Sequence, residues 1–149
     1  MSIDKVRSYL KQFGRENSVM EFPVSSATVA LAAEALNVIP ARITKTLALK
    51  SGDSCIVIAV AGDGKIDNRK FKDEYGFKAK MLSPEETLEL TRHAVGGVCP
   101  FALPDGVKTY CDISLKRFDT VFPACGSSNS AIELTCEELF RYSNAEKWV

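Results

Sequence analysis

Arg92-His93-Ala94-Val95-Gly96-Gly97-Val98-Cys99-Pro100-Phe101 is the stretch on which the reading of this chain turns. Two adjacent glycines in an apolar setting remove two side chains where backbone could approach a ligand. Pro100 stiffens the end of the loop and biases Cys99 toward an extended conformation. The segment reads as a shaped backbone wall, able to present amide and carbonyl groups without any side chain. It carries no charge of its own beyond Arg92. Lys45, in Ile43-Thr44-Lys45-Thr46-Leu47, is the candidate to supply one.

Outward from that stretch, the chain reads as one domain over residues 1–149, long enough to bury a sizeable core. Hydrophobic residues make up 46% and charged residues 26%, the proportions of an ordinary globular protein. Lys+Arg and Asp+Glu both count 19, so the net charge is zero. That excludes attachment to nucleic acid by bulk charge, which needs clustered cations, but leaves room for contact with one short end. The apolar run Ile56-Val57-Ile58-Ala59-Val60-Ala61 falls far short of the roughly 20 residues that span a bilayer. The N-terminus shows no apolar signal region, so no membrane partner and a cytoplasmic location are expected. Five cysteines at 55, 99, 111, 125 and 136 form no Cys-x-x-Cys pair and are expected as free thiols. With one histidine, His93, neither a metal site nor any other cofactor is expected.

Periodicity and capping signals order the elements. Residues 2–13 form an amphipathic helix with Ile3, Val6, Leu10 and Phe13 on one face, stopped by Gly14. A short strand spans 19–22. Ser25 or Ser26 caps a helix over 27–36. One helical turn at 41–43 leads into a strand at 44–50, and Ser51-Gly52-Asp53-Ser54 turns into a second, all-apolar strand at 55–61. Asp67 caps a helix that Gly76 stops, and a strand comes next at 78–82. Ser83-Pro84-Glu85-Glu86 is the strongest local signal: an N-cap serine, proline at the first helical position and glutamate at the third. That helix runs to about Arg92 and delivers the chain into Gly96-Gly97. Two more strands lie at 107–112 and 120–125, and Thr135-Cys136-Glu137-Glu138 opens a last helix. Hairpin-linked strands interspersed with helices give an α/β (α+β-like) fold, a mixed and mostly antiparallel central sheet flanked by helices.

Few residues qualify for chemistry. There is no Walker-type loop, no Gly-x-Ser-x-Gly elbow and no His-Glu-x-x-His. His93, at a helix end, reads as structural. Cys99 lies in the loop without an independent base, so a small thiol lining a pocket is the simpler reading. Lys45 shares its strand face with Ile43 and Leu47, so its ammonium must reach a partner or a ligand. Asp112 could pair with Lys45 or Arg117, or cap the next turn.

Taken in order, Lys45-Thr46-Leu47, Val95 to Phe101, Asp112 and Phe122-Pro123-Ala124-Cys125-Gly126 resemble the YbaK/ProX family. These are aminoacyl-tRNA deacylase domains related to the insertion domain of bacterial prolyl-tRNA synthetases. The resemblance runs from the first helix to Thr135. It implies one α/β domain that hydrolyses the ester joining a wrongly attached small amino acid, such as Cys or Ala on tRNA(Pro), to the 3′-terminal adenosine. It implies Lys45 as the essential lysine, Thr46 as its neighbour, and Gly96 to Phe101 as the glycine-rich loop. Three positions depart from the pattern: Ala102 stands where glycine is common, Cys99 where serine is common, and Gly126-Ser127-Ser128 where paired glycines are common. These fall around the expected pocket and bear on which amino acid fits.

On that basis Lys45, Gly96 and Gly97 are the candidate catalytic residues. Phe22, Thr46, Val98, Cys99, Pro100, Phe101, Asp112 and Gly126 are the candidate substrate-binding ones. The partners implied are the acceptor end of an aminoacyl-tRNA and, as a candidate, prolyl-tRNA synthetase. Two other functions share the scaffold: a binding module that holds an aminoacyl or nucleotidyl group without turnover, and a small-molecule ester hydrolase.

Overall fold

The hairpin of β2 (Ile43–Ser51) and β3 (Ser54–Ala61) is the centre of the molecule, a computed structural model that describes residues 2–149. Its eight paired positions run from Thr44↔Ala61 to Ser51↔Ser54. β3 is buried from Cys55 to Ala61, as an all-apolar strand covered on both faces must be. Each such Val or Ile contributes about 1.5–3 kcal/mol when fully buried.

Around the hairpin the other strands complete a five-stranded sheet in the order β4-β3-β2-β5-β7. β4 (Lys108–Cys111) runs parallel to β3, and β5 (Thr120–Pro123) parallel to β2. β7 (Leu134–Thr135) closes the far side antiparallel to β5. β1 (Met20–Glu21) and β6 (Ser130–Ala131) form a separate antiparallel ribbon. The sheet is mixed, as expected; its four pairings divide evenly between antiparallel and parallel, and the separate β1–β6 ribbon adds one more antiparallel pair.

The helices obey their caps. α1 (Ser2–Leu10) continues as a 3-10 turn to Phe13, and Gly14 ends it at φ +71°. α3 (Asn68–Tyr75) has Asp67 as N-cap and Gly76 as C-cap. α4 (Pro84–Thr91) and α5 (Cys136–Tyr142) both begin with complete capping boxes, from Ser83 with Glu86 and from Thr135 with Glu138. Glu86 accepts from the Ser83 backbone and pairs with Lys50, which lowers its pKa to about 2.

Two local expectations fail for tertiary reasons. α2 (Val29–Leu36) starts at Thr28, not at Ser25 or Ser26, because Ser26 N–H donates to the Ser128 carbonyl and so belongs to a loop contact. The strand expected at 78–82 shrinks to a single bridge, Met81 opposite Leu49. Phe77 turns back onto the Phe71 and Tyr75 rings, and this pulls the start of the segment off the sheet edge.

The largest core cluster gathers Val6, Leu10, Phe101, Leu115, Ile132, Leu134 and Leu139 between the sheet, α1 and α5. A second lies beneath α3, with Phe71 on Leu49, Ile56, Ile58 and Val60.

Candidate functional site at the open edge of the central strand

β2 loses its partner partway along one edge. β5 pairs with it only at Ile43↔Phe122 and Thr44↔Pro123. Further on, Leu82 N–H donates to the Ala48 carbonyl and Lys50 N–H donates to the Lys80 carbonyl. Between these contacts, at 45–47, no strand pairs with that edge among the described residues. Ala48 and Lys50 direct their backbone groups to this edge, so the alternation of a strand directs those of Thr46 there as well.

A cavity of about 370 Å³ opens at this gap. Lys45, Thr46, Gly96 and Val98 all border it, with Ala27 and Phe122 among the other walls. The glycine-rich loop and the early strand therefore meet in one place. The volume lies near the low end for small-molecule sites, about 300–1,000 Å³. Lys45 is the one charged residue among those lining it. Lys45 sits opposite Val60 and Thr46 opposite Ala59, so their side chains leave on opposite faces of the strand. Both reach the cavity because it wraps the strand's edge. The Lys45 ammonium donates to the Gly64 carbonyl. That turn packs on Val29, a residue of the cavity wall: a Cβ on Gly62 would lie 2.7 Å from Val29 Cγ1.

Backbone contacts hold the loop. A Cβ on Gly97 would come within 2.8 Å of the Gly126 carbonyl carbon and the Ser127 nitrogen. One on Gly126, at φ +89°, would lie 2.7 Å from Ser2 Oγ. Three segments thus stack through positions without side chains. Gly96, at φ +95°, has a backbone shape that side chains resist. His93 locks the arrangement from below. Its Nε2 donates to the Phe101 carbonyl at 2.8 Å, which leaves Nδ1 to accept from Ser2 Oγ. It is 1% exposed, and burial lowers its pKa.

Several expected pocket residues lie elsewhere. Gly97 is buried against the 126–127 loop instead of lining the cavity. Cys99 and Phe101 are fully buried in the main core behind the loop, and burial pushes the Cys99 thiol up to about 12, which leaves it inert. Pro100 is buried too and does not line the cavity. Phe22 is tied to Asn129 through its N–H, outside the lining. Gly126 supports the loop from beneath Ser2. Asp112 neither meets Lys45 nor borders this cavity: it caps a 3-10 turn by accepting from Ser114 N–H at 2.9 Å, and it lines a separate cavity. Arg117 pairs instead with Asp63, whose carboxyl it holds below its ordinary range.

Thr44 is a lining residue that residue type alone does not single out. The available signal is its spacing, two residues from Thr46 and hence on the same face. The Thr44 and Thr46 hydroxyls are both buried, with no hydrogen-bond partner among the described residues.

The chain is similar to known proteins along most of its length. The model of the aminoacyl-tRNA editing domain matches residues 24–142. Protein YwhH of Bacillus subtilis (strain 168), described as uncharacterized, is 55% identical over the whole chain and 96% of its own length. Proline--tRNA ligase of Bacillus cytotoxicus is 28% identical over 73% of this chain, which corresponds to only 18% of the ligase. Among solved structures, one described as a proposed trans-editing enzyme for prolyl-tRNA synthetase superposes with TM-score 0.88 at 28% identity, over 98% of this chain and 94% of that one. Hypothetical protein APE2540 superposes with TM-score 0.85 at 28% identity, over 97% of each chain.

Proposed function

The chain belongs to the aminoacyl-tRNA editing domain family, and from that premise we propose that it is a free-standing deacylase of mischarged aminoacyl-tRNA, acting in the cytoplasm on small amino acids esterified to the 3′-terminal adenosine. The observation that carries this reading is the meeting of Lys45, Thr46, Gly96 and Val98 at one cavity on an open strand edge.

An aminoacyl ester is already activated toward water, so positioning and electrostatic stabilisation can supply most of the catalysis. Lys45 rotates from the Gly64 carbonyl onto the ester or terminal phosphate oxygens. The Val98 amide stabilises the oxyanion as an attacking oxygen adds to the ester carbonyl. The Gly96 carbonyl orients the attacking water, directly or through the adenosine 2′-OH. The C–O bond to the 3′ oxygen breaks, that oxygen takes up the proton that the water gives up, and the free amino acid leaves. Gly97 has a supporting part: without a side chain it lets the loop seat on Gly126 and Ser127.

Zero net charge favours weak, salt-sensitive contact limited to the acceptor end. Partnership with prolyl-tRNA synthetase is part of the same proposal and rests on the ligase likeness. The test is a panel of mischarged tRNAs assayed for release of free amino acid, with Lys45→Ala beside the native chain. Release by the native chain and its loss in a folded variant support the reading. Near-native turnover in Lys45→Ala removes the assignment, and tight binding without release by the native chain makes the protein a binding module.

A further inference from the structure

The Thr44 and Thr46 hydroxyls are the feature of the cavity that ester chemistry leaves unused. Thr44 is only 3% exposed, and Oγ1 of both residues is buried without a hydrogen-bond partner among the described residues. Both residues line the cavity. They stand on one face of β2, opposite Ala61 and Ala59, two of the smallest side chains available. Ala48 and Leu82 add apolar surface to the same lining.

A buried hydroxyl without a partner costs stability, so its persistence in a binding cavity points to a ligand that pairs with it. The cavity lining contains no carboxylate, and its single charge is the Lys45 cation. An ammonium group is therefore a poor match for this floor, because nothing there offsets its charge. A neutral hydroxyl fits, because it both donates and accepts and can satisfy two neighbouring threonines at once.

Resting on the deacylase reading, we infer that Thr44 and Thr46 select the side chain of the misattached residue and that the preferred substrate carries a small hydroxylated amino acid, serine first. Alanine offers these oxygens nothing, and cysteine offers only a weak S–H donor. A site built to hydrogen-bond a substrate hydroxyl rejects the analogue that lacks it far more strongly than an apolar pocket rejects a missing methylene.

The decisive experiment compares seryl, alanyl, cysteinyl and 2-aminobutyryl esters on one tRNA, the last placing a methyl where serine has its hydroxyl. The native chain should favour seryl over 2-aminobutyryl by at least ~100-fold, and Thr44→Val and Thr46→Val should each bring that ratio to within about tenfold of unity. Because Thr44→Val removes an unpaired buried hydroxyl at nearly constant shape, it should also raise Tm by about 2–4 °C, which shows that the variant is folded. A native ratio within about threefold of unity, or a ratio unmoved in both variants, overturns the inference. Equilibrium binding of non-hydrolysable 3′-seryl- and 3′-alanyl-amide adenosines separates it from the deacylase reading. If no ester is hydrolysed yet the native chain prefers the seryl amide and Thr44→Val does not, the recognition stands and the deacylase reading falls. Equal binding of the two amides overturns the recognition whatever the turnover.

Discussion

The cavity at the open edge of β2 and the cavity beneath the C-terminal segment differ in how far their polar groups are already committed. The second is larger, about 700 Å³ against about 370 Å³. It lies over Ile58 and Val60 of β3, a strand paired on both sides, so the backbone of its floor is used up in the sheet. Its side-chain carboxylates are engaged as well: Asp67 caps α3, Glu74 pairs with Lys147, and Asp112 caps the 3-10 turn after β4, while Lys65 and Lys70 add two cations to the lining. The smaller cavity borders strand edge and loop backbone that the fold leaves open, with one cation and two unpaired hydroxyls. On the proposed function, size alone would choose the wrong place. A catalyst with few side chains needs backbone that the fold has not already engaged.

Substitutions on the two sides can break that contrast. The largest effect should be at Lys45, where Ala lowers single-turnover deacylation by about 10²–10³-fold with little change in Tm. Gly97→Ala comes next. Its new methyl meets the backbone of Gly126 and Ser127, so chemical denaturation should show a loss of about 1–3 kcal/mol, and turnover should drop as the loop shifts. Asp112→Ala, in the other cavity, should cost about 1 kcal/mol as a lost cap while leaving turnover within about twofold. A loss of turnover there as deep as at Lys45 would move the site to the larger cavity.

The smallest effect is a pH dependence that sharpens the comparison. His93 is buried and neutral, with its pKa below the ordinary 6.5 because burial disfavours the cation. The unfolded chain therefore binds more protons near and below that value, so stability is full above about pH 6.5 and declines as pH falls through it. Hydrogen exchange should report the weakening at the 96–101 loop before it reaches β4. His93→Gln should flatten the decline.

Much of the frame could be read directly. The capping boxes at Ser83 and Thr135, the stop at Gly76 and the doubly buried β3 are local or nearly local signals, and each appears where its residues require. The start of α2 and the weak 78–82 strand could not be read, because distant partners, Ser128 in one case and a ring cluster in the other, override local preference. The site divides in the same way. Lys45, Gly96 and Val98 stand out as residue types, but nothing local reveals that Cys99 and Phe101 turn into the core while the buried Thr44 borders the cavity.

The sequence alone pointed to the family, through its resemblance, and to the mixed architecture, because capping and alternation act over a few residues; it offered one lysine and one glycine-rich loop as candidates. Only the tertiary structure decided which side chains face the cavity. That depends on where β5 stops pairing with β2 and on three backbone segments stacking at Gly97 and Gly126, contacts between residues up to 124 positions apart, from Ser2 to Gly126.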